Sequence, residues 1–415
     1  MWKELRLDDW TKARRSSLAD VRRPVEDIIS KVRSEGDAAL IELTTRFDKV
    51  ELDSIRITEK EVQQAREMVP RELVRDLKKA AENIRRFHKL QKQNDIWFKE
   101  VEPGLILGVK TTPLERIGAY VPGGRASYPS TVLMCAIPAK VAGVKEVVLC
   151  TPPPVNPLTL VAIDIAGVDE AYKVGGAQAI AAMGIGTGSI RQVQKIVGPG
   201  NVYVTMAKML LRDEVDIDFP AGPSEIAVMA DSTADPSFIA ADILAQAEHD
   251  PNSACILVTT DPSLPNKVER ELMSELESSE RRSILERSMI NTGYIIAKNL
   301  EEAAAIINQI APEHLSIQMA NEMGALNSVH NAGSIFIGRY AAVACGDYAS
   351  GTNHVLPTAG YAKIYSGLDV NHFCKRSSIQ MIDRVGLERI GRTVIDLARA
   401  EGLDAHARSV EKRLK

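Results

Sequence analysis

The sequence predicts an α/β protein of two related α/β units, with a helical stretch before them and another after. Three observations carry that reading. Short β-rich apolar runs alternate with helical ones from Arg116 to about Phe219; the same rhythm restarts at Glu225 and runs to about Gly338; and both flanks show helical periodicity only. In the N-terminal flank, Leu73, Leu77, Ala80, Ile84 and Phe87 recur at helical spacing with Lys, Arg and Glu between them. His88 falls beside that stripe and is read as a surface position. The first unit's strands are expected at 116–121, 146–150, 170–174, 195–197 and 215–219, with helices near 130–142, 158–166, 177–183 and 201–211. The second unit's apolar runs are 226–229, 255–258, 294–297, 315–319 and 334–337. In the tail, Val394, Leu397 and Ala398 make one stripe, Gly402 breaks it, and Leu403, Ala407, Val410 and Leu414 make another. A helix that short is marginal alone, so it must dock on its own body or on a second subunit.

Composition narrows the function. The chain has 415 residues and a formal net charge of −4, with no long Lys or Arg block, which argues against nucleic acid as a partner. No run of about 18 apolar residues exists to span a membrane, and Met1-Trp2-Lys3-Glu4-Leu5-Arg6 lacks the apolar core of a signal peptide. The five cysteines are widely separated and odd in number. They are read as reduced thiols of a cytoplasmic protein, with neither a disulfide framework nor a thiolate zinc site.

Four clusters could carry chemistry. Asp235-Pro236 is a helix start. Ile239, Ile243 and Gln246 then share a face, and His249 follows Gln246 at i, i+3, so an amide oxygen and an imidazole can converge on a borderline metal such as zinc. Taken alone, such a pair is usually two ordinary polar residues. Gly346 to His354 places Asp347 and His354 among Gly, Ser and Thr between apolar flanks, a loop that begins and ends in the interior. A surface turn with an Asx cap is the bland alternative. A helix beginning at Asn299, with Glu302 completing a capping-box-like start, stops at Pro312. Glu313 and His314 then stand at the mouth of an element, where ligands of α/β folds bind, as two proton-transfer groups of different intrinsic pKa. His406 flanks the tail's apolar stripe, and its bland reading is a docked, partly buried structural histidine. The glycines of Pro122-Gly123-Gly124, Gly175-Gly176 and Gly198-Pro199-Gly200-Asn201 follow predicted strands and would let a phosphate approach helix N-termini, although none fits G-x-G-x-x-G. Among the cysteines, Cys135 lies in an apolar helix and reads as core, and Cys345 is the only one near these clusters.

Taken in order, these motifs resemble the histidinol dehydrogenase family. The matching stretches are Gly118-Ala-Tyr-Val-Pro-Gly-Gly124, Tyr128-Pro-Ser-Thr-Val-Leu-Met134, Val174-Gly-Gly-Ala-Gln-Ala-Ile180 and Gly198-Pro-Gly-Asn201. They continue with Ala221-Gly-Pro-Ser-Glu225, Ala245-Gln-Ala-Glu-His249, Ala311-Pro-Glu-His-Leu315, Gly346 to Thr358, Phe373-Cys-Lys-Arg-Ser-Ser378 and Glu401-Gly-Leu-Asp-Ala-His406. The resemblance implies one zinc ion per subunit held by Gln246, His249, Asp347 and His406, with His406 donated by the partner of a homodimer. It implies His314 as general base and Glu313 as the activator of water. It puts Ser130, Ser224, His354 and Glu401 around the substrate, together with the metal ligands and catalytic pair, and Tyr120, Gln178 and Asn201 at an NAD site. The implied fold is two related three-layer α/β/α domains, akin to aldehyde dehydrogenases, with a swapped helical tail. The expected division is residues 1–115, a helical part packing on the second α/β domain; 116–224, the nucleotide-binding domain; 225–365, the domain with metal and catalytic residues; and 366–415, the helical tail. The implied reaction is zinc-dependent oxidation of L-histidinol to L-histidine with two NAD, the last step of histidine biosynthesis. Its rivals are a related dehydrogenase of another small polar alcohol such as a sulfonated diol, a zinc hydrolase using Glu313, and a non-catalytic metal-binding scaffold.

Overall fold

The computed structural model describes residues 2–8, 10, 19–123 and 127–415. The chain divides into two compact units, Met1–Gln91 with Glu115–Phe373, and Lys92–Leu114 with Cys374–Lys415.

The smaller unit is a three-stranded antiparallel sheet with two helices. Strands β1 (Ile96–Glu102) and β2 (Leu105–Pro113) form a hairpin, and the late strand Cys374–Ile382 pairs with the other edge of β2. Pro103-Gly104 makes the turn, with Gly104 at φ 78°, where glycine is the undemanding choice. Helices Arg384–Ala400 and Asp404–Leu414 bury Ile395, Ala398 and Ala407 together with Val410 and Leu414, so the tail's second stripe docks on the helix before it.

The larger unit holds two parallel five-stranded sheets. The first contains β3 (Arg116–Tyr120), β4 (Glu146–Thr151), β5 (Glu170–Lys173), β6 (Lys195–Val197) and β7 (Asp216–Ile217), in the order β5-β4-β3-β6-β7. The second contains β8 (Glu225–Ala230), β9 (Ala254–Thr259), β10 (Thr292–Ile296), β11 (His314–Gln318) and β12 (Ser334–Ile337), in the order β10-β9-β8-β11-β12. The late strand of the smaller unit is β13. Both parallel sheets place their first strand centrally, the next two on one side and the last two on the other. The chain therefore builds one pattern twice, and in each sheet the order of strand addition reverses beside the central strand. Strands β8 and β9 are buried along their whole length, as a parallel sheet covered on both faces requires.

Three expectations are corrected. The N-terminal helices Ala19–Glu35, Asp37–Asp48, Glu59–Met68 and Arg71–Gln91 belong with the first domain: Val25, Ile29, Leu40 and Leu43 share a core with Tyr172, Ile180, Met183 and Val204. Among the described residues before these helices, Leu5 and Trp10 lie along the second, where Leu5 N–H donates to Tyr294 O at 2.8 Å and Trp10 enters the core. An apolar stripe records that a helix is covered, not by which surface. The segments 96–113 and 374–382 are strands, so neither flank is wholly helical. Finally, His88 is fully buried, not exposed: its Nδ1 lies 2.8 Å from the Ile84 carbonyl and its Nε2 3.4 Å from the Asn353 amide.

Candidate active site

Parallel strands connected by helices bring chemistry back to one edge. β8 runs outward from Glu225, and the helix Pro236–Ala247, capped by Asp235 accepting from Ser237 N–H at 3.0 Å, returns antiparallel to it. Its last turn therefore delivers buried Gln246, and half-buried His249 just beyond, to the amino ends of the strands. Helix Val343–Tyr348, following β12, brings Asp347 to the same edge. The two helices are joined by Asp242, which accepts from Val343 N–H at 3.4 Å; burial pushes this carboxyl up to about 6.

Glu313 and His314 stand where β11 begins, with His314 in register with Ile226 of β8 and Ser334 of β12. This is the amino edge of the sheet. The mouth where α/β folds usually bind ligands is the carboxyl edge, so the expected placement is corrected. The turn into β11 is set by Ala311 at φ 50°, a left-handed conformation that closes the preceding helix and carries the chain into Pro312.

The His314 ring is fully enclosed. Its Nδ1 lies 3.2 Å from the main-chain oxygen of Glu225 and 3.6 Å from Glu313 Oε2, and its Nε2 lies 3.5 Å from Asp347 Oδ1. A carbonyl only accepts, so Nδ1 carries the hydrogen, and in the neutral ring Nε2 is the site that takes a proton. Nε2 is buried and makes no hydrogen bond among the described residues. Burial opposes charge on this ring, but Glu313 and Asp347 on either side overcome it and hold its pKa well above the ordinary value. For Asp347 burial works upward, and the nearby imidazoles, His314 foremost and then His354 and His249, outweigh it and lower the pKa.

The second-domain edge meets the first domain at His354. Its Nδ1 donates to the Asp347 carbonyl at 2.9 Å, and its Nε2 lies 3.1 Å from the Thr131 hydroxyl at the start of helix Pro129–Ala142. Both ring nitrogens are thus engaged, and burial lowers its pKa. Ser130 lies in the same helix turn, and Ser224 immediately precedes β8; both are half-buried. Asn353 fastens the loop beneath by donating to Met134 O at 2.8 Å.

The expected cofactor residues gather at the carboxyl edge of the first sheet, beside its reversal point. Tyr120 ends β3, and its hydroxyl accepts from Gly176 N–H at 3.0 Å; burial pushes its pKa up to about 12. Gln178 is buried in the first turn of helix Gly176–Ile185. Asn201 caps helix Val202–Leu210, accepting from Tyr203 and Val204 N–H at 3.0 and 3.1 Å, which leaves its amide hydrogens available. Gly198, at φ 112°, has no room for a Cβ against the Tyr120 main chain. Beneath it Lys208 and Asp218 form a buried ion pair at 2.8 Å. Gly124 lies outside the described residues. Glu401 and His406 are in the smaller unit and exposed there. Cys345 is exposed, and its offset of two residues from Asp347 puts it on another face of their helix. Cys135 is buried core, as expected.

Among the described residues no three His, Cys, Asp or Glu side chains group as a metal site. The local donors are one amide oxygen, one imidazole and one carboxylate, a set that suits zinc and needs further donors to complete it. In that sense the residues fit a metal. Sequence reasoning missed Glu225, Asp242, Asn353 and Thr131. Only Glu225 left a signal, as a carboxylate opening a wholly apolar strand.

The family model described as "Histidinol dehydrogenase" matches residues 11–414. The chain is 55% identical to the histidinol dehydrogenase of Methanosarcina mazei, over 97% of this chain and 94% of that one. It is 49% identical to that of Archaeoglobus fulgidus, over 99% and 100%. Among solved structures it is similar to histidinol dehydrogenase from Elizabethkingia anophelis, with TM-score 0.95 and 39% identity, covering 100% of this chain and 97% of that one. A betaine aldehyde dehydrogenase variant from Staphylococcus aureus shares the fold alone, with TM-score 0.50 and 12% identity over 91% and 88%.

Proposed function

The chain belongs to the histidinol dehydrogenase family, whose members are oxidoreductases of histidine biosynthesis, and from that premise we propose that it oxidises L-histidinol through L-histidinal to L-histidine, passing four electrons to two NAD. The observation that carries the reading is the enclosed Glu313–His314 pair, beside an amide, an imidazole and a carboxylate that suit one zinc ion.

His314 Nε2 takes the alcohol's proton as the substrate carbon gives up hydride. The aldehyde cannot lose hydride until water adds, and the Glu313 carboxylate is suited to deprotonating that water. Ser130 and Ser224 offer hydroxyls to the substrate, while His354, held at both nitrogens, bounds it. Gln246, His249 and Asp347 are the ligands proposed for zinc, which when bound would orient the substrate's amine and imidazole and neutralise Asp347, one of the two charges that raise His314. NAD, the hydride acceptor, is assigned to Tyr120, Gln178 and Asn201.

We assign the fourth metal ligand, His406, and the substrate contact Glu401 to the partner of a homodimer through a swapped tail. Support comes from the smaller unit, which exposes Ile96, Trp97, Phe98, Val101, Leu397 and Leu403. Neighbouring residues of a strand alternate faces, so both sides of β1 present apolar surface that a second copy would cover. The reaction is assigned to the cytoplasm, in keeping with five free cysteines; no helix among the described residues is long and apolar enough to cross a membrane.

The test is NAD reduction with L-histidinol, before and after chelation, beside a sulfonated diol. Activity with histidinol that chelation abolishes and zinc restores is expected. Preference for the diol, turnover indifferent to chelation, or hydrolysis without NAD would each overturn the proposal.

A further inference from the structure

Three segments of the chain meet at one carboxylate, Glu225. It is 2% exposed, and its Oε1 accepts from Glu313 N–H at 3.2 Å and from Ala359 N–H at 3.1 Å. In return, Glu313 Oε2 accepts from Glu225 N–H at 2.8 Å, and the Glu225 carbonyl takes the hydrogen on His314 Nδ1. The β8–β11 ladder begins at the pair Ile226 and His314. One residue earlier the two strands remain joined, because each glutamate side chain bonds the other's main chain. Ala359, the third partner, has φ 54°, so a left-handed residue in the loop carrying Asn353 and His354 is pinned to the same point.

A buried carboxylate is costly unless several donors satisfy it. An apolar residue would continue the strand equally well but could not accept from two loops at once. We infer that Glu225 is the positioning residue for the catalytic pair: its carboxylate sets the Glu313–His314 segment and the 353–359 loop as one block. This rests on the proposed reaction. The role belongs to the acceptor oxygen, not to the charge. Glutamine can keep an oxygen facing both N–H groups, alanine removes it, and aspartate keeps the charge but withdraws the oxygen by one methylene.

The experiment compares purified wild type with Glu225→Gln, Glu225→Ala and Glu225→Asp. Each is assayed with L-histidinol and with supplied L-histidinal, alongside NAD titration, zinc content and thermal melting. A displacement of about 1 Å costs on the order of 100-fold in rate. That loss of kcat is expected for Glu225→Ala and Glu225→Asp in both oxidations, with KM, zinc and NAD affinity near wild type and most of kcat retained by Glu225→Gln. If Glu225→Ala does not fold, Glu225→Asp carries the comparison. Folded Ala or Asp variants with kcat within about threefold of wild type would overturn the inference, as would Glu225→Gln as slow as Glu225→Ala. A wild type inert toward L-histidinol would overturn the proposed reaction instead, and this inference with it.

Discussion

The buried pair Lys208–Asp218 beneath the Gly198 turn yields a prediction with a magnitude. The two side chains are 3% and 1% exposed. Lys208 Nζ also donates to Gly198 O at 2.5 Å, while Asp218 accepts from Gly198 N–H at 2.8 Å and from Phe219 N–H at 2.7 Å. Removing one member of a buried pair costs about 3–5 kcal/mol, because the other charge is left behind. Lys208→Met leaves Asp218 two N–H donors, so the cost should fall near the lower end, about 3 kcal/mol. Asp218→Asn leaves Lys208 a buried cation facing only neutral oxygens, and turns an amide NH2 toward a former partner such as Gly198 N–H, so the cost should approach about 5 kcal/mol. The double variant buries no charge and should lose no more than the worse single, a coupling of several kcal/mol in a double-mutant cycle. Urea unfolding followed by circular dichroism, with m unchanged, reads these values. Weaker NAD binding by both single variants is expected, since the Gly198 turn borders the assigned cofactor edge. Single variants costing under about 1 kcal/mol, or a double equal to their sum, would refute the reasoning.

Other outcomes follow from the site. His249→Ala should lose metal and turnover together while NAD affinity persists, because the residues proposed for NAD sit on the other sheet; elemental analysis with NAD titration checks this, and a fully metallated, active variant contradicts it. Glu313→Gln should spare the first oxidation and slow the second, since an amide cannot take water's proton; equal damage in single-turnover assays of both half-reactions would count against that division. Refolded mixtures of Asp347→Ala and His406→Ala chains should recover up to roughly a quarter of wild-type activity if the tail is swapped, because half the dimers then carry one intact site. Dead mixtures shown by mass spectrometry to contain heterodimers would reject the swap. His88 gives a pH dependence: burial lowers its pKa below 6.5, so the unfolded chain binds the proton first as pH falls. Its contribution is complete above the unfolded value and lost as pH drops through the folded one. Urea midpoints should decline more steeply below that value for wild type than for His88→Asn, and parallel slopes would refute the assignment.

The strands and helices of both domains were legible because a covered parallel sheet needs apolar runs and its crossover helices need apolar stripes. The β1–β2 hairpin is not legible as strands because neither shows a buried face alternating with an exposed one: β1 is exposed throughout and β2 is mostly half-buried. Its Pro103-Gly104 turn was the available signal. The N-terminal helices are legible as helices from their apolar stripes, but amphipathicity does not name the domain that covers them. Within the site, Gln246 with His249 and Glu313 with His314 were visible as local spacings. That His314 meets Asp347, with His249 close enough to act on its charge, depends on helices returning antiparallel to their strands, a relation no short window of sequence contains. His88 is hidden for the opposite reason, an ordinary polar residue until burial shows what it holds, while Glu225 shows only as a carboxylate opening an apolar strand, which does not name its partners.

That the edge carrying the proposed catalytic pair is an amino edge has an electrical consequence. A helix returning to the start of its sheet arrives carbonyl end first, so the twelve-residue helix Pro236–Ala247 brings its macrodipole's negative end, roughly half an elementary charge, toward Gln246 and His249. The first sheet offers its carboxyl edge, where helices Gly176–Ile185 and Val202–Leu210 begin and point their positive ends outward. The two domains, built on one strand order, thus present opposite fields because opposite ends of the pattern are used. On the proposed assignments, the first field would favour a cation and the second a pyrophosphate, before any charged side chain is counted.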